Sequence, residues 1–521
     1  MFVRSKKNKE GRIYLQLVEN YRDKGKNRQR VLFTLGRLDT LQKSGKLDSL
    51  IRSTLRFSEK LTIIDACKSK GKATAHTIKI GPVLVFERLW KETGIGEVLQ
   101  ALLETRRYRF SVERAVFLTV LHRLCCSGSD RAAEKWKERY AIPGAEGLEL
   151  HHLYRAMAWL GKPLKNQKDR TFFAPRCIKD DIEERLFEER RDLFTGMDLV
   201  FFDTTSIYFE GNGGQTMGRH GHSKDHRPDC KQIVVGVVLD NQGSPVCCEM
   251  WPGNTSDVKT LLEVVKRLKK RFGITQVCVV SDRGMISKET IKMLESREYR
   301  LQYILGSRMR KDKEVKENVL RRRGHFQEVT GRRQKAKDPS PLKVKEVKVD
   351  TRRYIVCLNE EEARKDKADR ETILASLRLK LKQGDKVLVG NKGYRRFLKV
   401  TGKHFAIDKK RIKEEELYDG KWVIRTNTDL SAEDVALKYK QLWMVEDIFR
   451  TMKSILETRP IYHKCDETIR GHVFCSFLGL VLRKALKDRL DAKGLKDMEW
   501  KDIVRDLDNL HEIEESFSGK K

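Results

Sequence analysis

Residues 199–211, LVFFDTTSIYFEG, carry the reading of the fold. Leu199 to Phe202 is an unbroken apolar run, the pattern of a strand buried on both faces, and Asp203 stands at its end. After the polar stretch 211–232, GNGGQTMGRHGHSKDHRPDCKQ, comes IVVGVVLDNQGSPVCCEMW, two apolar strands around an Asp-Asn-Gln-Gly turn. WPGNTSD then opens a helix, Val258 to Phe272, with Thr255, Ser256 or Asp257 as its N-cap. ITQVCVVSDRG gives a second buried strand, Val277 to Val280, ending at Asp282. A helix, ISKETIKMLESRE, and a further strand in YILGSR follow.

Two apolar strands that each deliver an Asp at the C-terminal end, with a hairpin and a helix between them, predict a mixed α/β sheet. Sites in such sheets lie outside the strand ends, which places both carboxylates at one edge. A lone Asp after a strand is usually a turn or N-cap residue. Two at equivalent places call for a partner elsewhere in the chain.

The stretch 439–463, YKQLWMVEDIFRTMKSILETRPIYH, supplies one. At helical spacing Val445, Ile448, Phe449, Met452, Ile455 and Leu456 form an apolar stripe, while Glu446, Arg450, Lys453 and Glu457 share the other face. Glu446 is the candidate that completes a set with Asp203 and Asp282. Three carboxylates suit phosphodiester chemistry, which uses two divalent cations about 4 Å apart. Hard oxygen ligands select Mg²⁺ or Mn²⁺, two ions in all, with Asp203 bridging them and Asp282 and Glu446 each completing one. His220, His222, His226 and Cys230 offer a rival zinc set. Their H-x-H start departs from common structural zinc spacings, and that stretch reads better as a basic loop beside the site.

Composition agrees with a polyanionic partner. The 521 residues include 109 Lys and Arg against 75 Asp and Glu, a formal net charge of +34. The basic residues are spread along the chain, as nucleic-acid binding allows and a membrane-surface helix does not. The 11 Cys are odd in number and show no C-x-x-C pair, the usage of reduced thiols in a cytoplasmic protein. No signal peptide is evident, and the longest apolar run, Val473 to Leu482, is too short to span a bilayer. A cytoplasmic, nucleoid-associated protein with no membrane partner is expected.

The remaining segments divide as follows. Residues 1–80 hold a basic β-hairpin, Arg12 to Leu38, and a linker. Residues 81–195 are helical in pattern and are expected to bind DNA ends. Residues 196–307 form the first part of the core, with Asp203 and Asp282. Residues 308–429 read as a basic, mainly β insertion containing one charged helix, Glu361 to Leu381. Residues 430–490 complete the core with the Glu446 helix, and 491–521 form a charged, helical tail.

Taken together these residues resemble the DDE-class insertion-sequence transposases of the branch with the Y-x2-R-x3-E-x6-K signature, cut-and-paste enzymes of bacteria or archaea. DTTSIYFEG matches the block of the first Asp and VVSDRGMIS that of the second. Tyr439, Glu446 and Lys453 fall at the signature spacings, and GHSKDHRPD, WPGNTSD and RGHVFCSFLGL look familial too. The resemblance implies a ribonuclease-H-like core interrupted by the β insertion, with Tyr439 and Lys453 on DNA phosphates. It also implies binding of terminal inverted repeats, cleavage of element ends and joining of the 3′-hydroxyls to target DNA. Two ends need two active sites, so a homodimer in the synaptic complex is expected. Leu442 stands at the signature Arg position, and Arg450, one turn beyond Glu446, is the candidate replacement. DGKWVIRTN resembles the segment whose Trp, here Trp422, stacks on a flipped base in relatives that cleave through a hairpin. A nuclease or resolvase of the same core without strand transfer, and a non-catalytic DNA-binding derivative, are the competing functions.

Overall fold

A computed structural model of the chain describes residues 2–8, 10–23, 26–55, 73–104, 106–167, 174–190, 198–273, 277–285, 287–297, 299–329, 342–383, 396–401, 404–496 and 498–517. The chain forms two compact units, Met1–Gly81 with Asp506–Lys521, and Pro82–Arg505.

In the first unit, β1 (Phe2–Lys7), β2 (Ile13–Asp23) and β3 (Lys26–Arg37) make an antiparallel sheet in that order. The expected hairpin is β2–β3, with β1 added to its edge. Two short helices, α1 (Leu38–Lys43) and α2 (Lys46–Leu55), follow. β4 (Ala73–Lys79) pairs antiparallel with the C-terminal strand His511–Phe517. The helical pattern expected after Lys484 holds through Trp500–Asp508, and the strand replaces it only from His511 on. β4 supplies the partner such a short strand needs.

The second unit opens with helices, as the apolar stripes require: α3 (Gly81–Glu92), α4 (Ile95–Leu103), α5 (Val112–Cys125), α6 (Asp130–Trp136), α7 (Leu150–Leu160) and α8 (Ile178–Arg190). Ser111 and Ser129 cap α5 and α6, each accepting from a backbone N–H three residues on. α5 is buried almost all round and packs against α7.

The sheet that follows is mixed. β5 (Asp198–Tyr208), β6 (Gln232–Leu239) and β7 (Pro245–Pro252) form an antiparallel meander. α9 (Asp257–Phe272) returns the chain so that β8 (Val277–Ser281) lies beside β5, parallel to it. α10 (Lys288–Glu295) then leads to β9 (Gln302–Gly306), parallel to β8. The spatial order is β7-β6-β5-β8-β9. Val200 and Phe202 of β5 join Val264, Leu268 and Leu294 in a core on the α9–α10 face. Period-two alternation sends Phe201 and Asp203 to the opposite face.

Strands of the expected insertion join this sheet. β10 (Gln327–Glu328), β11 (Leu342–Val349) and β12 (Arg352–Asn359) extend it, and β15 (Lys421–Thr426) joins β12 to β9 in one nine-stranded sheet. Between β12 and β15 lie α11 (Glu360–Gln383), the two-stranded pair β13 (Leu398–Thr401) and β14 (His404–Ile407), and α12 (Lys409–Glu416). The basic run GRRQKAK, 331–337, lies outside the described residues.

Four helices follow: α13 (Ala432–Lys440), α14 (Trp443–Ser454), α15 (Asp466–Ala492) and α16 (Trp500–Asp508). The sequence read Tyr439 to His463 as one helical stretch, but the structure breaks it twice. The first break is at Gln441–Leu442, between α13 and α14. The second follows Ser454, where the Thr458 N–H and hydroxyl both donate to the Met452 carbonyl and Glu457 adopts a positive φ of 42°. Of the expected stripe, Val445, Phe449, Met452 and Leu456 are buried.

Candidate active site at the carboxylate edge of the sheet

The parallel register of β5 and β8 sets the site. Phe201 is level with Val280, the last pair of that register; Asp203 follows two residues on along β5, and Asp282 two residues on just past the end of β8. Asp203 is not at a strand end, as its position after the apolar run suggested. β5 runs on to Tyr208, because Asp203 to Tyr208 pair with Val237 to Gln232 of β6. Asp282 does follow the last residue of its strand.

Asp203 is half-buried and accepts the Thr204 N–H at 2.7 Å. Burial pushes its carboxyl up to about 6; Lys224 and the Thr204 N–H oppose that, and the carboxylates of Asp282 and Asp257 add to it. Asp257 was read only as a possible N-cap. Ser256 holds the N-cap position, and Asp257, the first residue of α9, accepts the Thr204 hydroxyl at 2.7 Å. Lys224 sits among these groups. Its Nζ donates to the Thr204 carbonyl at 2.7 Å and lies 3.3 Å from Asp257. Asp203, Asp257 and Asp282 offer only hard oxygen donors, the kind a divalent cation takes, but as they stand they are not close enough together to share one ion.

Tyr439, on α13, donates its hydroxyl to Asp282 Oδ1 at 3.0 Å. Burial raises the phenol's pKa, with Asp282 adding to the effect. The contact requires a glycine opposite: a Cβ on Gly306 would lie 2.1 Å from the Tyr439 oxygen. Arg308 braces the turn after Asp282 by donating to the Arg283 and Gly284 carbonyls at 2.9 and 2.8 Å.

Glu446 lies exposed in the first turn of α14, a helix that packs against β5 and β6. Lys453, two turns on, is not a free cation: its Nζ donates to Asp225 Oδ1 at 2.6 Å. Burial lowers its pKa, and the Asp225 bond works against that. Arg450 is 73% exposed and only 3.8 Å from Asp447. Leu442 is half-buried at the junction of α13 and α14. Trp422 is half-buried on β15, opposite Cys357. Its strand is three places from β5, roughly 14 Å, and the register with β9 puts Trp422 toward the edge where Asp282 emerges.

Sequence reading missed Lys224, Asp225, Asp257, Gly306 and Arg308. Two segments, GHSKDHRPD and WPGNTSD, drew attention, but nothing in their spacing says which side chains reach β5. Among the described residues, the group of His, Cys and carboxylate side chains close enough to share a metal is Asp130, His463 and His472. His220, His222, His226 and Cys230 form no such group, and neither do Asp203, Asp282 and Glu446. The Arg123 guanidinium already lies 2.8 Å from His472 Nδ1. No helix among the described residues is long and apolar enough to cross a membrane.

Comparison with known proteins gives two family matches. Residues 2–68 match the N-terminal domain of IS1634 family transposases, and residues 194–482 match the transposase DDE domain. No curated protein matches. Among solved structures, the chain is similar to the piggyBac transposase in its synaptic complex with hairpin DNA. Sequence identity is 11% and the TM-score 0.40, over 82% of this chain and 79% of that one. The DDE domain spans more than half of the chain, so the protein belongs to the DDE transposases and is a divalent-metal-dependent enzyme acting on DNA.

Proposed function

We propose that Asp203, Asp282 and Glu446 form the catalytic carboxylate set of a transposase that cuts at terminal inverted repeats and joins the 3′-hydroxyls to target DNA. The observation that carries this reading is that Asp203 and Asp282 each follow by two residues the last register pair of the neighbouring parallel strands β5 and β8, Phe201 and Val280, with the Glu446 helix against β5 and β6. The order β7-β6-β5-β8-β9, three antiparallel strands followed by two parallel ones, supports a ribonuclease-H-like core.

Asp203, Asp282 and Glu446 would hold two Mg²⁺ or Mn²⁺ ions. Such a pair supplies activation of the attacking hydroxyl or water and charge stabilisation at the leaving oxygen. The chain's own groups do the rest. Tyr439 orients the Asp282 carboxylate, Gly306 gives it room, and Lys224 offsets negative charge beside Asp203. Arg450 is the exposed cation nearest in sequence to Glu446 on α14 and is suited to a DNA phosphate. Trp422 offers an aromatic face for a displaced base, and helices α3–α8 are assigned to DNA ends. A homodimer would pair two such sites across two ends, in the nucleoid.

Labelled inverted-repeat ends, target DNA and Mg²⁺ test the assignment. Joined end–target products are expected. Nicked ends without joined products would favour a nuclease or resolvase, and binding without any cleavage a non-catalytic derivative.

A further inference from the structure

The sheet fixes Asp203 and Asp282 relative to each other, but Glu446 arrives on a separate helix more than 160 positions later in the chain. Something must set how α14 lies on β5 and β6. Its apolar face, Val445, Phe449 and Met452, resists lifting but specifies sliding and rotation poorly. A buried polar contact specifies them better.

The loop between β5 and β6 provides one. Lys224 and Asp225 are adjacent, yet their side chains serve different elements. The Lys224 N–H donates to the Ser206 hydroxyl of β5 at 2.7 Å, and its ammonium to Thr204 beside Asp203. The Asp225 carboxylate accepts Lys453 of α14 at 2.6 Å and also Arg459 in the segment after that helix. The Asp225 side chain is only 2% exposed. Its Oδ2 has no hydrogen-bond partner among the described residues. The end of β5 grips the same segment, since Glu210 N donates to the Ile461 carbonyl and Ile461 N to Tyr208.

We infer that Asp225 is a positioning residue for the third carboxylate: through Lys453 it sets α14 on the sheet so that Glu446 completes the site begun by Asp203 and Asp282. On this view the signature Lys acts within the protein, as one end of a strut whose other end, Lys224, is anchored beside Asp203. The inference rests on Glu446 belonging to the site.

The test is a double-mutant cycle of Asp225→Asn and Lys453→Met, with Glu446→Gln as control, read by end cleavage, end binding and Mn²⁺ affinity. Asp225→Asn is expected to slow cleavage about 10–100-fold, the scale of a misplacement of about 1 Å, while end affinity stays within about twofold. Mn²⁺ affinity, measured by electron paramagnetic resonance without DNA, should fall with it. Lys453→Met should do the same, and the double variant should be no worse than the poorer single one. Asp225→Glu, which keeps the charge, should recover part of the rate. Additive losses, an unchanged rate in Asp225→Asn, or a loss of end affinity confined to Lys453→Met would overturn the proposal. Should Asp225→Asn fail to fold, an unchanged rate and Mn²⁺ affinity in Lys453→Met would overturn it alone. A fully active Glu446→Gln would instead remove the carboxylate assignment itself.

Discussion

The Tyr439 hydroxyl is spent on Asp282, 3.0 Å away. The signature Tyr is therefore tied to the second carboxylate, and its first effect should be on chemistry. Tyr439→Phe should slow end cleavage about tenfold, the loss of one hydrogen bond to a charged group, and leave end affinity nearly unchanged. Gly306→Ala should behave alike, because its methyl would lie 2.1 Å from the Tyr439 oxygen and force it away from Asp282. A weakened gel shift with a normal cleavage rate would return Tyr439 to a phosphate-holding role.

Asp203 makes stability depend on pH in an unusual direction. Its folded-state pKa, about 6, lies above the ordinary carboxylate value because of burial. The metal-free fold therefore binds more protons than the unfolded chain between about pH 4 and 6. The cost of ionising Asp203 is full above pH 6 and disappears as pH falls toward 4. In EDTA, Asp203→Asn should be more stable than the wild type at pH 7.5, by about 1–3 kcal/mol, and should lose that advantage near pH 4.5. Thermal melts at the two pH values check this. Mg²⁺ should raise the melting temperature of the wild type more than that of the variant.

The docking of α8 and α9 on β7 is ionic and buried. Arg271 donates to Glu183, Glu184 and Glu249 at 2.7, 2.7 and 2.9 Å, and Lys179 donates to Asp180 and to the Cys248 carbonyl. Removing one member leaves buried charge without a partner. Arg271→Met should cost about 3–5 kcal/mol in urea unfolding. A cost below about 1 kcal/mol would mean that water enters the network.

Much of this was legible in the sequence. The apolar runs before Asp203 and Asp282 gave the two parallel strands, and the turn at Asp240–Gly243 gave the β6–β7 meander. What the sequence hid was long-range pairing. Nothing local says that KWVIRT lies beside YILGS, so the way the 308–429 insertion joins the sheet could not be read from the sequence. Lys179, Glu183, Arg267 and Arg271 have the i, i+4 pattern of a solvated face, although all four are buried. The break at Leu442 was concealed because apolar spacing continues across it. Lys453 looked like a free cation because Asp225 lies 228 residues away.

Arg450 tests how the missing signature Arg is replaced. It is exposed and weakly paired. Arg450→Ala should weaken binding to ends and lessen the salt dependence by about one phosphate contact. An unchanged salt slope and cleavage rate would leave the position of Leu442 uncompensated.

The central claim is that Asp203, Asp282 and Glu446 act as one metal site. End cleavage in Mg²⁺ by Asp203→Asn, Asp282→Asn and Glu446→Gln, each with end binding measured alongside, tests it most directly. Each variant should bind ends as the wild type does and cleave them about a thousandfold more slowly, a loss of about 4 kcal/mol of transition-state stabilisation. Wild-type cleavage by any one of the three would contradict the account.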